Sequence, residues 1–330
     1  MKRLDHYWYS QNPVAWVMLP FSWLFCTVAV LRRFAYAKGW LTSQSVGAPV
    51  VIVGNISVGG TGKTPLIIGL CEYLAQKGFN PGVVSRGYGA SQSGEYSVAA
   101  DDDAAICGDE PLLIKQRTGC PVVIGRDRVA AARKLIAEHD CDVVLSDDGM
   151  QHYRLHRNIE IAVVDADRKF GNGFCIPAGP LRETESRLGS VDMVVHHGRS
   201  QGRYRFSLEF KDAVNLVTNE QRPLDSFSEM TVHAAAGIGY PQRFFNQLRS
   251  HGLGVIEHPF PDHHAFGIND ILFTDGLPVL MTEKDAVKCA RLQPPQGHDG
   301  VLRHCWSVPV SAHLSSDLGP DLIELIRQCQ

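Results

Sequence analysis

The sequence predicts an α/β protein: a mostly parallel sheet with helices on both faces, a smaller C-terminal α/β lobe, and an N-terminal helix associated with a membrane. Three observations predict it. Apolar runs of strand length alternate with helical stretches from Val50 to Val195, which is how a parallel sheet covered on both faces reads. Near Tyr204 the pattern changes, and it resumes as a shorter α/β series at Val232. Before all this, Val14 to Leu31 runs eighteen residues without a charge. The chain thus divides into an apolar anchoring segment (1–40), a core domain of the P-loop type (41–210) and a smaller lobe (211–330) joined by a strand hinge.

At 330 residues the chain is long enough for two cores. It is 44% hydrophobic and 20% charged with net charge −3, which is ordinary for a globular protein and offers no basic face for nucleic acid. Nine scattered cysteines contain no C-x-x-C pair. That argues for a reducing compartment, against a disulfide framework and against a zinc site.

Lys2 and Arg3 precede the apolar segment, and Arg32, Arg33 and Lys38 follow it. A straight helix over Val14–Leu31 covers about 27 Å, just short of the roughly 30 Å of bilayer hydrocarbon. Pro20 would kink it, and Trp16, Trp23, Tyr36 and Trp40 suit the membrane–water interface. A cleaved signal peptide is one reading, since Ala35-Tyr36-Ala37 mimics a cleavage site, but Arg32 and Arg33 oppose export. A buried core helix is another. The favoured reading is an anchor, spanning or lying shallowly, with the rest of the chain in the cytoplasm.

The core domain opens with the strand Val50-Val51-Ile52-Val53, then Ser57-Val58-Gly59-Gly60-Thr61-Gly62-Lys63-Thr64, then a helix over 66–76. Strand, glycine-rich turn ending in Gly-Lys-Thr, and helix form the context of a phosphate-binding P-loop. The glycines free backbone N–H groups to curl round phosphate oxygens, and the helix N-terminus adds positive potential. Lys63 would reach the outer phosphates and the Thr64 hydroxyl would hold Mg²⁺. Further strands are expected at 81–85, 121–125, 141–145, 159–164 and 191–195, with a helix over 126–139. The run Asp101-Asp102-Asp103 reads as a solvated loop. Beyond Tyr204, 205–210 and 213–217 read as paired strands. Strands at 278–281 and 305–308 follow a helix at 242–250, and 318–328 is a closing helix.

The P-loop, Ser85 and the pair Asp147-Asp148 all fall at carboxyl ends of predicted strands, where ligands bind in such sheets. Asp147 or Asp148 would hold Mg²⁺ opposite Thr64, with a turn cap as the plain alternative; Gln151 and His152 follow closely. Asp109, in Gly108-Asp109-Glu110-Pro111, is either a general base for an attacking hydroxyl or an N-cap for a helix starting at Pro111. Arg182 and Glu183 end the stiff loop Pro177-Ala178-Gly179-Pro180-Leu181. Arg182 is either aimed at a transferring phosphate or paired at the surface. Of His263 and His264, one is available to orient a carboxylate. Met281-Thr282-Glu283-Lys284-Asp285-Ala286 packs charges at a strand end, and His196-His197 reads as structural or surface.

Taken together, GNISVGGTGKTP, SRGYG, GDEP, DDGMQH, PAGPLRE, FPDHHAF and TEKDAVK stand in one order between residues 54 and 288. That series resembles the tetraacyldisaccharide 4'-kinase family, the lipid A kinases of Gram-negative bacteria, which carry Ser or Thr at the position of Ser57. The resemblance implies an enzyme that uses ATP and Mg²⁺ at the cytoplasmic face of the inner membrane. It would phosphorylate the 4'-hydroxyl of an acylated glucosamine disaccharide 1-phosphate, and no obligate protein partner follows. It implies Ser57, Val58, Gly59, Gly60, Thr61, Gly62, Lys63 and Thr64 at the nucleotide, and Asp109 as base with His263 as its partner. Lys63 and Arg182 would act on the phosphate, with Thr64, Asp147, Asp148 and Glu183 around Mg²⁺. A membrane-associated ATPase switch of the MinD type is the main rival. Such switches carry a lysine where this chain has Val58.

Overall fold

The computed structural model describes residues 7–10, 12–293 and 300–330, so Lys2 and Arg3 lie outside the described residues. Helix α1 (Pro13–Ala37) opens the chain. The large unit then follows as β1 (Val50–Gly54), α2 (Lys63–Gln76), β2 (Pro81–Ser85), β3 (Tyr96–Ser97), α3 (Ala104–Cys107), α4 (Asp109–Thr118), β4 (Val122–Ile124), α5 (Arg128–His139), β5 (Val143–Asp147), β6 (Ile159–Asp165), β7 (Met193–His197) and β8 (Tyr204–Phe210). A second unit holds β9 (Ala213–Asn215), β10 (Gln221–Arg222), β11 (Thr231–Ala236), α6 (Pro241–Ser250), β12 (Gly254–Pro259), β13 (Val279–Thr282), α7 (Glu283–Cys289) and β14 (Cys305–Val308), and β15 (Val310–Leu314) and α8 (Leu318–Gln328) close the chain.

The large sheet runs β15-β8-β7-β6-β1-β5-β2-β4-β3 and the small one β10-β9-β14-β13-β11-β12. The interior of the large sheet is parallel, with antiparallel β15 and β3 at its edges. Strand β1 is central, between β5 and β6, with Val53 beside Asp147 and Gly54 beside Ala162. Its side chains alternate faces, as strand geometry requires. Val51 and Val53 enter one core with α2, and Val50 and Ile52 enter the other with α5. Covering both faces makes the strands continuously apolar, and this is why they were legible.

Two expectations are corrected. Strands β8 and β9, read as a pair, belong to different sheets: β8 pairs with β7 and β15, β9 with β10 and β14. The chain crosses between sheets at Lys211-Asp212 and returns at Pro309, where Lys211 N donates to Pro309 O at 2.9 Å. Proline ends a ladder because it has no N–H to give. Residues from Val310 onward, assigned to the smaller lobe, return to the large sheet, and α8 buries Leu318, Leu322 and Ile326 in the core it shares with α2. An amphipathic helix announces that one face is buried; it does not announce against what.

Helix α1 continues through Pro20 and is long and apolar enough to cross a membrane. It lies along the large unit. Trp16 meets the Phe174 ring edge-on at 5.7 Å, Ser22 Oγ donates to Cys175 O at 2.6 Å, and Ala178 N donates back to Ser22 Oγ at 3.0 Å. Arg33 approaches Glu183 at 4.0 Å, and Tyr36 stacks on Tyr153. Val17, Phe21, Trp23, Leu24, Val28 and Leu31 are exposed on the other side. The chain also contains a disulfide, Cys26–Cys175, where scattered thiols were expected. Its cysteines lie 149 residues apart, so no local spacing could have announced it.

Candidate active site

The carboxyl end of β1 leads into the glycine cradle. Gly59 and Gly62 have φ of 106° and 87°, and Gly62 caps α2 in the left-handed region that glycine enters without a Cβ clash. A Cβ on Gly62 would stand 2.7 Å from His197 Nδ1. On the opposite side the smaller lobe touches the cradle with bare backbone, since a Cβ on Gly239 would lie 2.2 Å from Gly60 N. The turn also binds the Pro180–Glu183 loop: Val58 N donates to Pro180 O at 2.8 Å and Arg182 N to Ile56 O at 2.7 Å. Lys63 Nζ donates to Asn55 Oδ1 at 3.2 Å and lies 3.4 Å from Asp148.

Asp147 and Asp148 are adjacent and electrostatically opposite. Asp147, at the end of β5, is buried, accepts from Ser85 Oγ at 3.2 Å and has an Oδ1 with no hydrogen-bond partner. Burial, then the charges of Glu110 and Asp148, push its carboxyl up to about 7. Burial would raise Asp148 too, but Lys63 and Arg182 outweigh it and hold that carboxyl far below the usual range. Arg182 Nη1 reaches the Asp148 oxygens at 2.8 and 3.0 Å, and Asp148 has a positive φ of 49°.

Glu183, expected beside the metal, is buried in the same cleft and held by neighbouring donors. Its oxygens accept from Gln151 Nε2 at 2.9 Å and Tyr153 Oη at 3.0 Å, and Arg187 Nε lies 3.4 Å away. A buried carboxylate gathers the donors that flank it, and Glu183 became a strut for Gln151. Among the described residues no three His, Cys, Asp or Glu side chains surround one metal position.

Asp109 sits in the first turn of α4 and is buried. Gly108 is the residue that caps the helix, so the capping alternative for Asp109 fails. Its oxygens lie 3.1 and 3.2 Å from His263 Nδ1. His264 turns away to Asp270 at 3.0 Å, and so the geometry separates the two histidines. His263 occupies the left-handed region, with φ 59°, a backbone state that concentrates at functional sites. Burial would raise Asp109, but the His263 hydrogen bond and the Lys284 and Lys288 charges outweigh it and hold it at about 2. Burial would lower His263, and the contact with Asp109 reverses that, raising it.

Lys63, Thr64, Asp147, Asp148, Arg182, Glu183 and His263 line one cleft of about 1430 Å³ between the two units, and buried Asp109 adjoins it through His263. Other lining residues had no clear sequence signal. His197, buried against Phe206, accepts from Arg243 at 3.0 Å. Arg243 also reaches Asp165 at 2.8 Å, tying α6 to the ends of β6 and β7. Arg168 donates to Gly239 O and to Tyr9 Oη. Arg128 is buried, donates to Gly125 O and Asp147 O, and is brought down to about 10 by burial.

A glycine cradle on the central parallel strand, sharing one cleft with a histidine that holds a buried carboxylate, is the arrangement of a P-loop phosphotransferase. The family model described as tetraacyldisaccharide-1-P 4'-kinase matches residues 14–327. A tetraacyldisaccharide 4'-kinase of Nitrosococcus oceani is 46% identical over 324 residues, covering 98% of this chain and 94% of that one. One from Stenotrophomonas maltophilia is 50% identical over 320 residues, covering 93% and 92%. The crystal structure of the "apo" form of LpxK from Aquifex aeolicus in complex with ATP has a TM-score of 0.77 at 28% identity, covering 96% of this chain and 99% of that one. The chain belongs to the tetraacyldisaccharide-1-P 4'-kinase family, the kinases of lipid A biosynthesis. That membership sets aside the switch-ATPase alternative.

Proposed function

We propose that the cleft transfers the γ-phosphoryl group of ATP to the 4'-hydroxyl of a tetraacylated glucosamine disaccharide 1-phosphate, with Asp109 as base. The observation that carries this reading is that one cleft is lined both by Lys63, 3.4 Å from Asp148, and by His263, which binds buried Asp109 at 3.1 Å. Phosphoryl transfer asks a protein mainly for alignment and charge. The amides of residues 57–64 and the N-terminus of α2 would cradle the phosphates. Lys63 would neutralise the outer phosphates, and Arg182 would meet the charge that develops on the transferred group. Asp109 would accept the hydroxyl proton, and His263 would keep that carboxylate charged and turned to the acceptor.

Mg²⁺ fits beside Thr64, Asp147 and Asp148, because Asp147 Oδ1 is buried and without a hydrogen-bond partner, an arrangement that a neighbouring cation relieves. Bound there, Mg²⁺ would supply positive charge against the phosphates. Glu183 would act through Gln151.

The substrate side supports a membrane surface. Each buried CH₂ is worth about 0.8 kcal/mol, so a lipid with four acyl chains stays in the leaflet and the enzyme must come to it. Contacts of α1 with the large unit extend from Trp16 to Tyr36. They favour a helix lying in the interface of the inner membrane, on the cytoplasmic face, over one leaving the globule to cross it.

The test is transfer of label from γ-labelled ATP to the disaccharide 1-phosphate in liposomes. The expected result is labelled lipid with Mg²⁺, none after chelation, and none with Asp109→Asn. Label found only in free phosphate defeats the transfer reading. Full transfer by the correctly folded Asp109→Asn protein defeats the base assignment.

A further inference from the structure

We propose that Lys284 is a positioning residue for the transfer step: its ammonium, donating to His263 Nε2, fixes the imidazole in the tautomer whose Nδ1–H faces Asp109. This inference rests on the reading of Asp109 as base and adds a residue that the reading leaves unused.

The argument is one of donors and acceptors. His263 Nδ1 lies 3.1 and 3.2 Å from the Asp109 oxygens, and Nε2 lies 3.4 Å from Lys284 Nζ. An ammonium has three donors and no acceptor, and an ionised carboxylate only accepts. Both neighbours therefore demand the same arrangement: lone pair on Nε2, proton on Nδ1. The other tautomer would set N–H against an ammonium and a lone pair against a carboxylate.

Lys284 is itself held in place. Its Nζ lies 2.9 Å from Glu110 Oε1 and 3.1 Å from Asp262 Oδ1. Glu110 follows Asp109 on α4, whereas Lys284 lies in the first turn of α7, so this one ammonium joins the two units at the acceptor station. Lys288, one turn on, lies 3.6 Å from Asp109 Oδ2 and is tied to Asp285 at 2.8 Å and to His264 O at 3.0 Å. The groups facing the pair are thus Lys284 and Lys288 from α7, Glu110 from α4, Asp262 from the 260–264 loop, and the Tyr88 ring 4.6 Å from that of His263. Burial and the Lys284 charge disfavour the imidazolium, whereas Asp109, and Asp262 Oδ1 at 3.9 Å from Nε2, favour it. With the ammonium gone, the ring protonates at a higher pH, and an Asp109 paired to imidazolium is a weaker base.

The experiment compares kcat/KM from pH 5.5 to 9 for the full chain and for Lys284→Gln, Lys284→Arg and Asp109→Asn on disaccharide 1-phosphate in liposomes. Lys284→Gln is expected to move the acid limb up by about one pH unit, and Lys284→Arg to return it most of the way. An unmoved limb in Lys284→Gln, with the rate lower at every pH, is what a mere strut gives and overturns the proposal. Activity in Asp109→Asn overturns the base reading instead, so the two failures are told apart. Should Lys284→Gln not fold, ¹⁵N-histidine NMR of the intact protein, with His263→Gln to assign the signal, decides. A proton on Nδ1 supports the proposal, and a neutral ring with its proton on Nε2 defeats it.

Discussion

Lys63 and Asp148 meet across neighbouring strands of one sheet, whereas Asp109 and His263 stand 154 residues apart and meet only where α4 touches the smaller unit. The phosphate station is carried by strand ends in parallel register, β1 beside β5, and by a loop bonded to the cradle. The smaller unit meets it at its edge, through the backbone of Gly239 and through Arg243 bonded to His197. The acceptor station is a joint. His263, Lys284 and Lys288 arrive from one side, Asp109 and Glu110 from the other, with the two units tied beside it by Arg117 Nη1 to Glu283 at 2.6 and 2.9 Å. On the proposed roles, the difference makes nucleotide binding and phosphoryl transfer separable properties of this chain. One belongs to a sheet and the other to the fit between two units.

The sharpest way to break this comparison is a pair of substitutions. Lys63→Ala should cost at least about a thousandfold in kcat/KM and weaken nucleotide binding. Asp109→Asn should cost on the order of 10²–10⁴ in kcat with nucleotide affinity unchanged by calorimetry. Equal losses of affinity in both would erase the distinction. Next comes the membrane side. Removal of residues 1–33 should cut activity on liposomes by about tenfold or more while nucleotide binding persists, and undiminished activity on liposomes refutes the anchor.

Arg117→Ala tests the joint. Breaking a half-buried ion pair between the units should lower kcat by roughly three- to tenfold and leave nucleotide affinity alone; a fall in affinity instead would mean that the units act as one. The smallest effect is on stability. Burial, with the Arg243 charge, brings His197 down to about 4, against about 6.5 in an unfolded chain. Between those values the unfolded chain takes up a proton that the folded one refuses. Stability is therefore lost as pH falls below 6.5, by at most about 1.4 kcal/mol per unit. Urea midpoints at pH 7 and 5 should differ less in His197→Gln than in the native chain.

The same division explains what the sequence could reveal. The phosphate station was legible because motif and strand period lie in one local stretch: Gly62-Lys63-Thr64 after β1, Asp147-Asp148 after β5. Asp109 and one of the two histidines were candidates by chemistry, but their pairing emerged only when the motifs were matched to a family, since no spacing links residues 154 apart. Long-range facts stayed hidden for the same reason. The return of β15 and α8 to the large sheet, the Cys26–Cys175 bond, and Arg243 reaching His197 depend on which surfaces meet. The partners of Glu183, Gln151 and Tyr153, could not be read either, since its place after Arg182 says nothing of which donors surround it.

Ser22 binds both Cys175 O and Ala178 N, stitching α1 to the very loop whose end carries Arg182. If α1 rests in the leaflet as proposed, that stitch works as a depth gauge: how far the helix sinks sets the elevation of the guanidinium above the acyl chains. Head groups presented at another height, in a thinner or more curved bilayer, would then find the reaction centre out of level.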